Sequence, residues 1–192
     1  MIKTEHFEKL EVTSARELRS WLLVNHNQDK SVWLITYKKS ELDKYVSRWE
    51  VLDELLCFGW IDGIRRKLDE KRTMQLISKR RVQHWTRTYK ERVAKLIEKG
   101  KLHSSGYESI QLSKDNGLWN FMDDVDNLII PGDLNEALHE NPEAEAFFTT
   151  INDSSKRFVL RWLKLAKTEK TRKNRIQKLV NLSARGEKLP GS

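Results

Sequence analysis

Four times in the first 110 residues a hydroxyl is followed three positions later by glutamate, and each time an apolar helical stripe begins close behind it. Ser14 with Glu17, Ser47 with Glu50, Thr88 with Glu91 and Ser105 with Glu108 have the spacing at which hydroxyl and carboxylate satisfy each other's orphan backbone amides at a helix start. Leu18, Trp21 and Leu22, then Leu52, Leu55 and Leu56, then Tyr89, Val93, Leu96 and Ile97 recur at the three- and four-residue intervals of one buried helix face. Gly59, Gly100 and Gly117 stand where a left-handed glycine ends a helix. A chain punctuated this way must fold into several short helices, and the segments between them must supply what those helices cover.

Between the first two stripes, "SVWLITYKK" is β-branched and aromatic on both faces, which predicts a buried strand. "IDGIRRKLD" and "RTMQLIS", separated by a polar turn near Asp69 and Glu70, predict a hairpin. Residues 118–133, "LWNFMDDVDNLIIPGD", lose the period, end in Pro-Gly and predict a linker packing through Trp119 and Phe121. Beyond it the pattern is helical. Leu134–His139 forms a short helix, Pro142 opens another carrying Phe147 and Phe148, and Asp153 or Ser154 caps a third. That third helix turns Phe158, Val159, Trp162, Leu163 and Ala166 inward, and Ile176, Leu179 and Val180 stripe a last one. The expected architecture is α+β: a small antiparallel sheet covered by helices in residues 1–117, the linker, and a C-terminal helical bundle in residues 134–192.

The formal charge of +8 is not evenly spread. Residues 65–101 hold fourteen Lys or Arg against four acids, residues 154–188 hold twelve against two, and the remainder carries −12. Two concentrated basic segments point to an anionic partner more than a uniform basic shell would, although a solvated helix face accounts for many single basic runs. No apolar run has the length of a membrane span. The start, "MIKTEHFEKLE", lacks a secretory core, so a cytoplasmic protein is expected. Cys57 is the single cysteine, which removes internal disulfides and thiolate metal clusters; it is expected to pack. The five histidines show no metal-ligand spacing, and neither metal nor cofactor is expected.

Three blocks together resemble a known family. "LDELLCFGWIDGIRRKLDEKR", "SKRRVQHWTRTYKERVAKLIEKGKLHSSGYESIQLSKDNGLW" and "SSKRFVLRWLKLAKTEKTRKNRIQKLVNLSARGEK" resemble, in this order, the YdeI/OmpD-associated or bacteriocin-protection-like proteins, over most of residues 14–188. The middle block departs at Thr88 and Tyr89, where the family pattern has Ile-Asn. The resemblance implies the bipartite architecture and an association with bacterial envelope stress and resistance to antimicrobial peptides. It implies no reaction and no catalytic residues.

Three groups of residues are candidates for contact with a partner. At "GWIDGIRRK", Trp60 reads as core and Asp62 as a turn carboxylate; alternatively Asp62 lies within reach of Arg65 or Lys67, which share one strand face with Arg66 opposite, and the pair holds a polar ligand. At "SKRRVQHWTR", Arg80, Arg81 and Trp85 precede a helix start, where anions are favoured; alternatively Trp85 simply staples that helix. Lys167, Lys170, Arg172, Lys173 and Arg175 form a dense cationic patch suited to an anionic ligand, an acidic protein or, weakly, nucleic acid. Phosphate loops, nucleophile elbows and H-E-x-x-H are missing. The expected function is therefore non-catalytic binding or stress protection. A nucleic-acid binder using the two basic segments is the alternative, and a small-molecule enzyme with its pocket at the GWIDG turn the third reading.

Overall fold

The doubly apolar segment Val32–Tyr37 occupies the interior of a four-stranded sheet in the computed structural model of the chain, which describes residues 6–192. Residues 1–5, part of the start read as lacking a secretory core, lie outside the described residues. The strands are β1 (Lys9–Glu11), β2 (Val32–Tyr37), β3 (Trp60–Lys67) and β4 (Arg72–Lys79), in the order β1-β2-β4-β3. β2 and β3 both run antiparallel to β4, and β1 adds a parallel edge to β2. The sheet is therefore mixed, where the sequence predicts an antiparallel one. Three residues are too few to show a strand period, and β1 is defined by its partner: the Trp33 amide donates to Glu8 O at 2.8 Å and the Val12 amide to Ile35 O at 3.1 Å. The β3–β4 turn closes on Asp69, whose carboxylate accepts from the Lys71 and Arg72 amides.

The chain divides into two compact units, Met1–Asn120 and Phe121–Ser192. The first holds the sheet with α1 (Ala15–Asn25), α2 (Arg48–Cys57), α3 (Arg87–Glu98) and α4 (Ser104–Asp115). Its core joins Val32, Leu34 and Ile77 of one sheet face to Leu18, Leu22, Leu55, Trp60 and Trp85. The second unit is helical: α5 (Asp123–Asp126), α6 (Gly132–His139), α7 (Pro142–Thr150), α8 (Asp153–Lys164) and α9 (Glu169–Ser183) around Leu134, Phe148, Val159, Leu163 and Leu179. The stretch 118–133 thus holds a short helix, and its aromatic residues pack separately, Trp119 on the first core and Phe121 on the second.

Helix starts follow the capping chemistry with informative shifts. Ser47 and Glu50 form the full reciprocal box, whereas at α1 Ser14 accepts from the Glu17 amide while the Glu17 carboxylate reaches the Thr13 amide. α3 begins at Arg87, one residue before the expected cap Thr88, with Thr86 at the cap position and the preceding Trp85 amide donating to Leu118 O at 3.1 Å. α8 is capped by Asn152, not by Asp153 or Ser154. Ile97 and Phe158, expected inward, are 39% and 40% exposed, and Leu160 takes the buried place on α8.

α4 is capped by His103 instead of Ser105: the ring Nδ1 accepts from the Ser105 amide at 3.3 Å and lies 2.9 Å from its hydroxyl. Burial, then His26 and Arg19, hold the His103 pKa below 6.5, against an opposing pull from Glu108. Because the folded form prefers the neutral ring, this stabilisation is complete above the unfolded value and disappears as pH falls through the lower folded one. The melting temperature of wild type should therefore drop more between pH 7.5 and pH 5 than that of His103→Asn, which keeps an acceptor but does not titrate. Parallel pH profiles for the two proteins would remove His103 as the titrating cap.

Candidate functional site

Gly59 ends α2 in the left-handed conformation (φ 70°) and delivers the chain directly into β3. On a regular strand Asp62 and Arg65, three apart, would point to opposite faces. They share one, because the β3–β4 register shifts between them: Asp62 lies opposite Ile77 and Arg65 opposite Gln75. The extra residue of this bulge falls at Gly63–Ile64. A side chain at position 63 would stand 3.1 Å from Leu76 O, so glycine lets the two backbones approach.

The shared face opens on a cleft of about 220 Å³ lined by Arg48, Val51, Leu52, Asp62, Arg65 and Gln75. Its apolar side is the buried Val51 and Leu52 of α2. Asp62 lies in the strand rather than a turn, and its carboxylate is held from two sides: Tyr89 Oη donates to Oδ1 at 2.8 Å and Gln75 Nε2 to Oδ2 at 3.2 Å. Arg65 donates to Thr73 Oγ1 at 3.1 Å, and the Arg48 guanidinium lies 4.8 Å from the centroid of the Trp49 ring. None of these three charged side chains is ion-paired with another.

Behind Asp62 sits a buried cation. Arg80 is 4% exposed, with its guanidinium 4.2 Å from the Trp85 ring centroid and 5.3 Å from that of Tyr89. Its Nη1 donates to Gln83 O and His84 O, whereas Nε and Nη2, like Trp85 Nε1, are buried without a hydrogen-bond partner. Burial pulls the Arg80 pKa down to about 10, against the pull of Tyr89 and Asp62, so the group stays charged near neutrality. Burial and the Asp62 carboxylate push Tyr89 up to about 12. Tyr89 supplies the hydroxyl that holds Asp62.

The remaining candidates part ways. Trp60 is core, its Nε1 donating to His26 O at 3.0 Å. Arg66 lies on the opposite sheet face over the Trp33 ring, Lys67 pairs with Glu70, and Arg81 pairs with Asp29 at 2.7 Å. In the C-terminal patch Arg172 bonds both oxygens of Asp133, Lys173 pairs with Glu169 at 2.8 Å, and Arg175 donates to Trp162 O while covering that ring. Lys167 and Lys170 are exposed. A larger groove of about 460 Å³ beside this patch is lined by the pairs Arg172–Asp133 and Lys173–Glu169 together with Glu136, Ile176 and Gln177. Among the described residues no His, Cys, Asp and Glu cluster fits a metal ion, and no helix is long and apolar enough to cross a membrane.

Sequence reasoning missed Arg48, Gln75 and the Tyr89–Asp62 bond. Gln75 carries the clearest signal: it is the lone amide inside an otherwise apolar stretch of "RTMQLIS". Arg48 directly follows the Ser47 cap and reads as an ordinary first-turn residue.

Residues 10–109, over half of the chain and including Arg48, Asp62, Arg65, Gln75, Arg80 and Tyr89, match the family model described as Domain of unknown function (DUF8412). The chain belongs to this family. Residues 127–186 match the model described as Bacteriocin-protection, YdeI or OmpD-Associated, in agreement with the resemblance read from the sequence. That match covers the last of the three resembling blocks except its final two residues, Glu187 and Lys188. The GWIDG block falls within the DUF8412 match. No curated protein and no solved structure matches the chain.

Proposed function

We propose that the chain is a non-catalytic binding protein whose N-terminal unit takes a small polar ligand in the cleft between α2 and the β3–β4 hairpin. The observation that carries this reading is the placement of Asp62, Arg48 and Arg65 around one cleft without ion pairs among them. Charged groups fixed by neighbours but not neutralised by one another are available to a ligand. Tyr89, pushed up to about 12, keeps its proton near neutral pH and so serves as the fixed donor that orients Asp62 in the cleft. The description of the family matched by residues 127–186 suggests bacteriocin protection as the setting in which such binding serves the cell. A nucleic-acid reading has less support, because Arg172 and Lys173 in the cationic patch already hold carboxylates.

A ligand that binds only the folded state raises the melting temperature, by about 2.7 kcal/mol of stability at a hundredfold excess over Kd. In a thermal-shift screen of small metabolites, short peptides and oligonucleotides, a small polar compound should stabilise wild type, and Arg65→Gln should lose that response while melting near wild type in its absence. A shift produced only by oligonucleotides and lost in a Lys167→Glu, Lys170→Glu variant would replace this reading with the nucleic-acid one. A screen with no shift from any small compound would also count against it.

A further inference from the structure

We infer that the ligand of this cleft is a compact zwitterion, with a carboxylate received by Arg48 and Arg65 and a protonated amine received by Asp62. This inference rests on the binding reading above and names the chemical class. The cleft carries both signs of charge: the guanidinium groups of Arg48 and Arg65 supply donors and Asp62 supplies an acceptor, over an apolar side made by Val51 and Leu52. The β-bulge puts Asp62 and Arg65 on one face, yet they form no ion pair, and each is tethered elsewhere, Asp62 by Tyr89 and Gln75 and Arg65 by Thr73. Opposite charges that share one cleft without pairing with each other are matched by a molecule that carries the complementary pair.

Simpler ligands fit less well. A phosphate or lone carboxylate satisfies the arginines but meets the Asp62 carboxylate, while an amine alone satisfies Asp62 and meets two guanidinium groups. Each carboxylate oxygen of Asp62 accepts one hydrogen bond from the protein, from Tyr89 and from Gln75, and can accept another. Arg48 and Arg65 carry planar donor forks suited to a carboxylate. The volume, about 220 Å³, lies below the roughly 300–1,000 Å³ of drug-sized pockets and suits a molecule of the size of a free amino acid. Val51 and Leu52 provide a surface for a short apolar side chain.

The test is calorimetric titration of the full chain with free α-amino acids, each matched by the acid lacking its amine and the amine lacking its carboxylate. At least one amino acid should bind at least tenfold more tightly than both of its matched fragments. Asp62→Asn should reduce that affinity about tenfold or more while leaving the weak binding of the acid fragment unchanged or improved, and Arg65→Gln should weaken the amino acid and the acid together. If an acid fragment binds as tightly as its amino acid and Asp62→Asn changes neither, the zwitterion assignment fails while the cleft remains a ligand site. If neither the amino acids and their fragments nor phosphate and nucleotides bind wild type at millimolar concentration, the binding reading itself falls, and this inference with it. Circular dichroism of Asp62→Asn and Arg65→Gln separates lost binding from lost folding.

Discussion

Gly106→Ala should destabilise the N-terminal unit by about 3 kcal/mol or more, beyond the usual cost of one methyl group inserted into packed structure. Gly106 lies in the first turn of α4, where a Cβ would stand 2.4 Å from Cys57 O and 3.0 Å from its carbonyl carbon. Neither side can retreat easily. The same carbonyl accepts from the His103 amide at 3.0 Å, the next one, Phe58 O, accepts from Ser105 Oγ at 3.1 Å, and Leu56, Cys57 and Phe58 are buried. Gly59, one residue on, completes the joint: a Cβ there would meet Ser109 Cβ at 2.7 Å and Ser105 O at 2.8 Å, and its φ of 70° adds strain for any other residue. The control is Gly100→Ala, also at positive φ but with nothing within 4 Å, which should cost only about 1 kcal/mol of backbone preference. Urea denaturation of the three proteins measures the order. A Gly106→Ala variant as stable as Gly100→Ala would mean that α4 does not press on the end of α2.

Gly59 and Gly106 mark how far local sequence reaches into this fold. The stop at Gly59 is legible because the apolar stripe ends there and the next residues are strand-like, whereas Gly106, inside a helix, reads only as a weak helix former. Its reason is a carbonyl on another helix. The site divides in the same way. Asp62 and the cations after it stand out as a carboxylate followed by three basic residues, but simple alternation places Asp62 with Arg66, and only the bulge moves Arg65 beside it. The cationic patch at 167–175 is equally visible in sequence, yet its apparent excess shrinks once Asp133, from α6, meets Arg172 on α9. Composition records how many charges a segment has, and tertiary pairing determines how many remain for a partner. The starts at Ser14 and Ser47 and the stops at Gly59, Gly100 and Gly117 are legible because capping is settled within four residues. The cap at His103 escaped because an imidazole does the work usually given to a hydroxyl.

Arg80 gives the second large effect, and its size depends on what replaces it. Arg80→Ala should lose about 3 to 4 kcal/mol, in the range of large-to-small substitutions in a core. It removes a side chain packed against Trp85 and Tyr89, empties buried volume and frees the Gln83 and His84 carbonyls. Arg80→Met should stay within about 1 kcal/mol of wild type, because the thioether fills most of the space against the two rings. The same change removes two buried donors, Nε and Nη2, that have no hydrogen-bond partner. Desolvation weighs on this charge enough to lower the Arg80 pKa to about 10, so exchanging it for an apolar group recovers part of what the two carbonyl bonds lose. Denaturant midpoints for wild type, Met and Ala distinguish packing from charge. If Met falls as far as Ala, the Nη1 bonds to the Gln83–His84 loop, and not the packing over the rings, make Arg80 necessary.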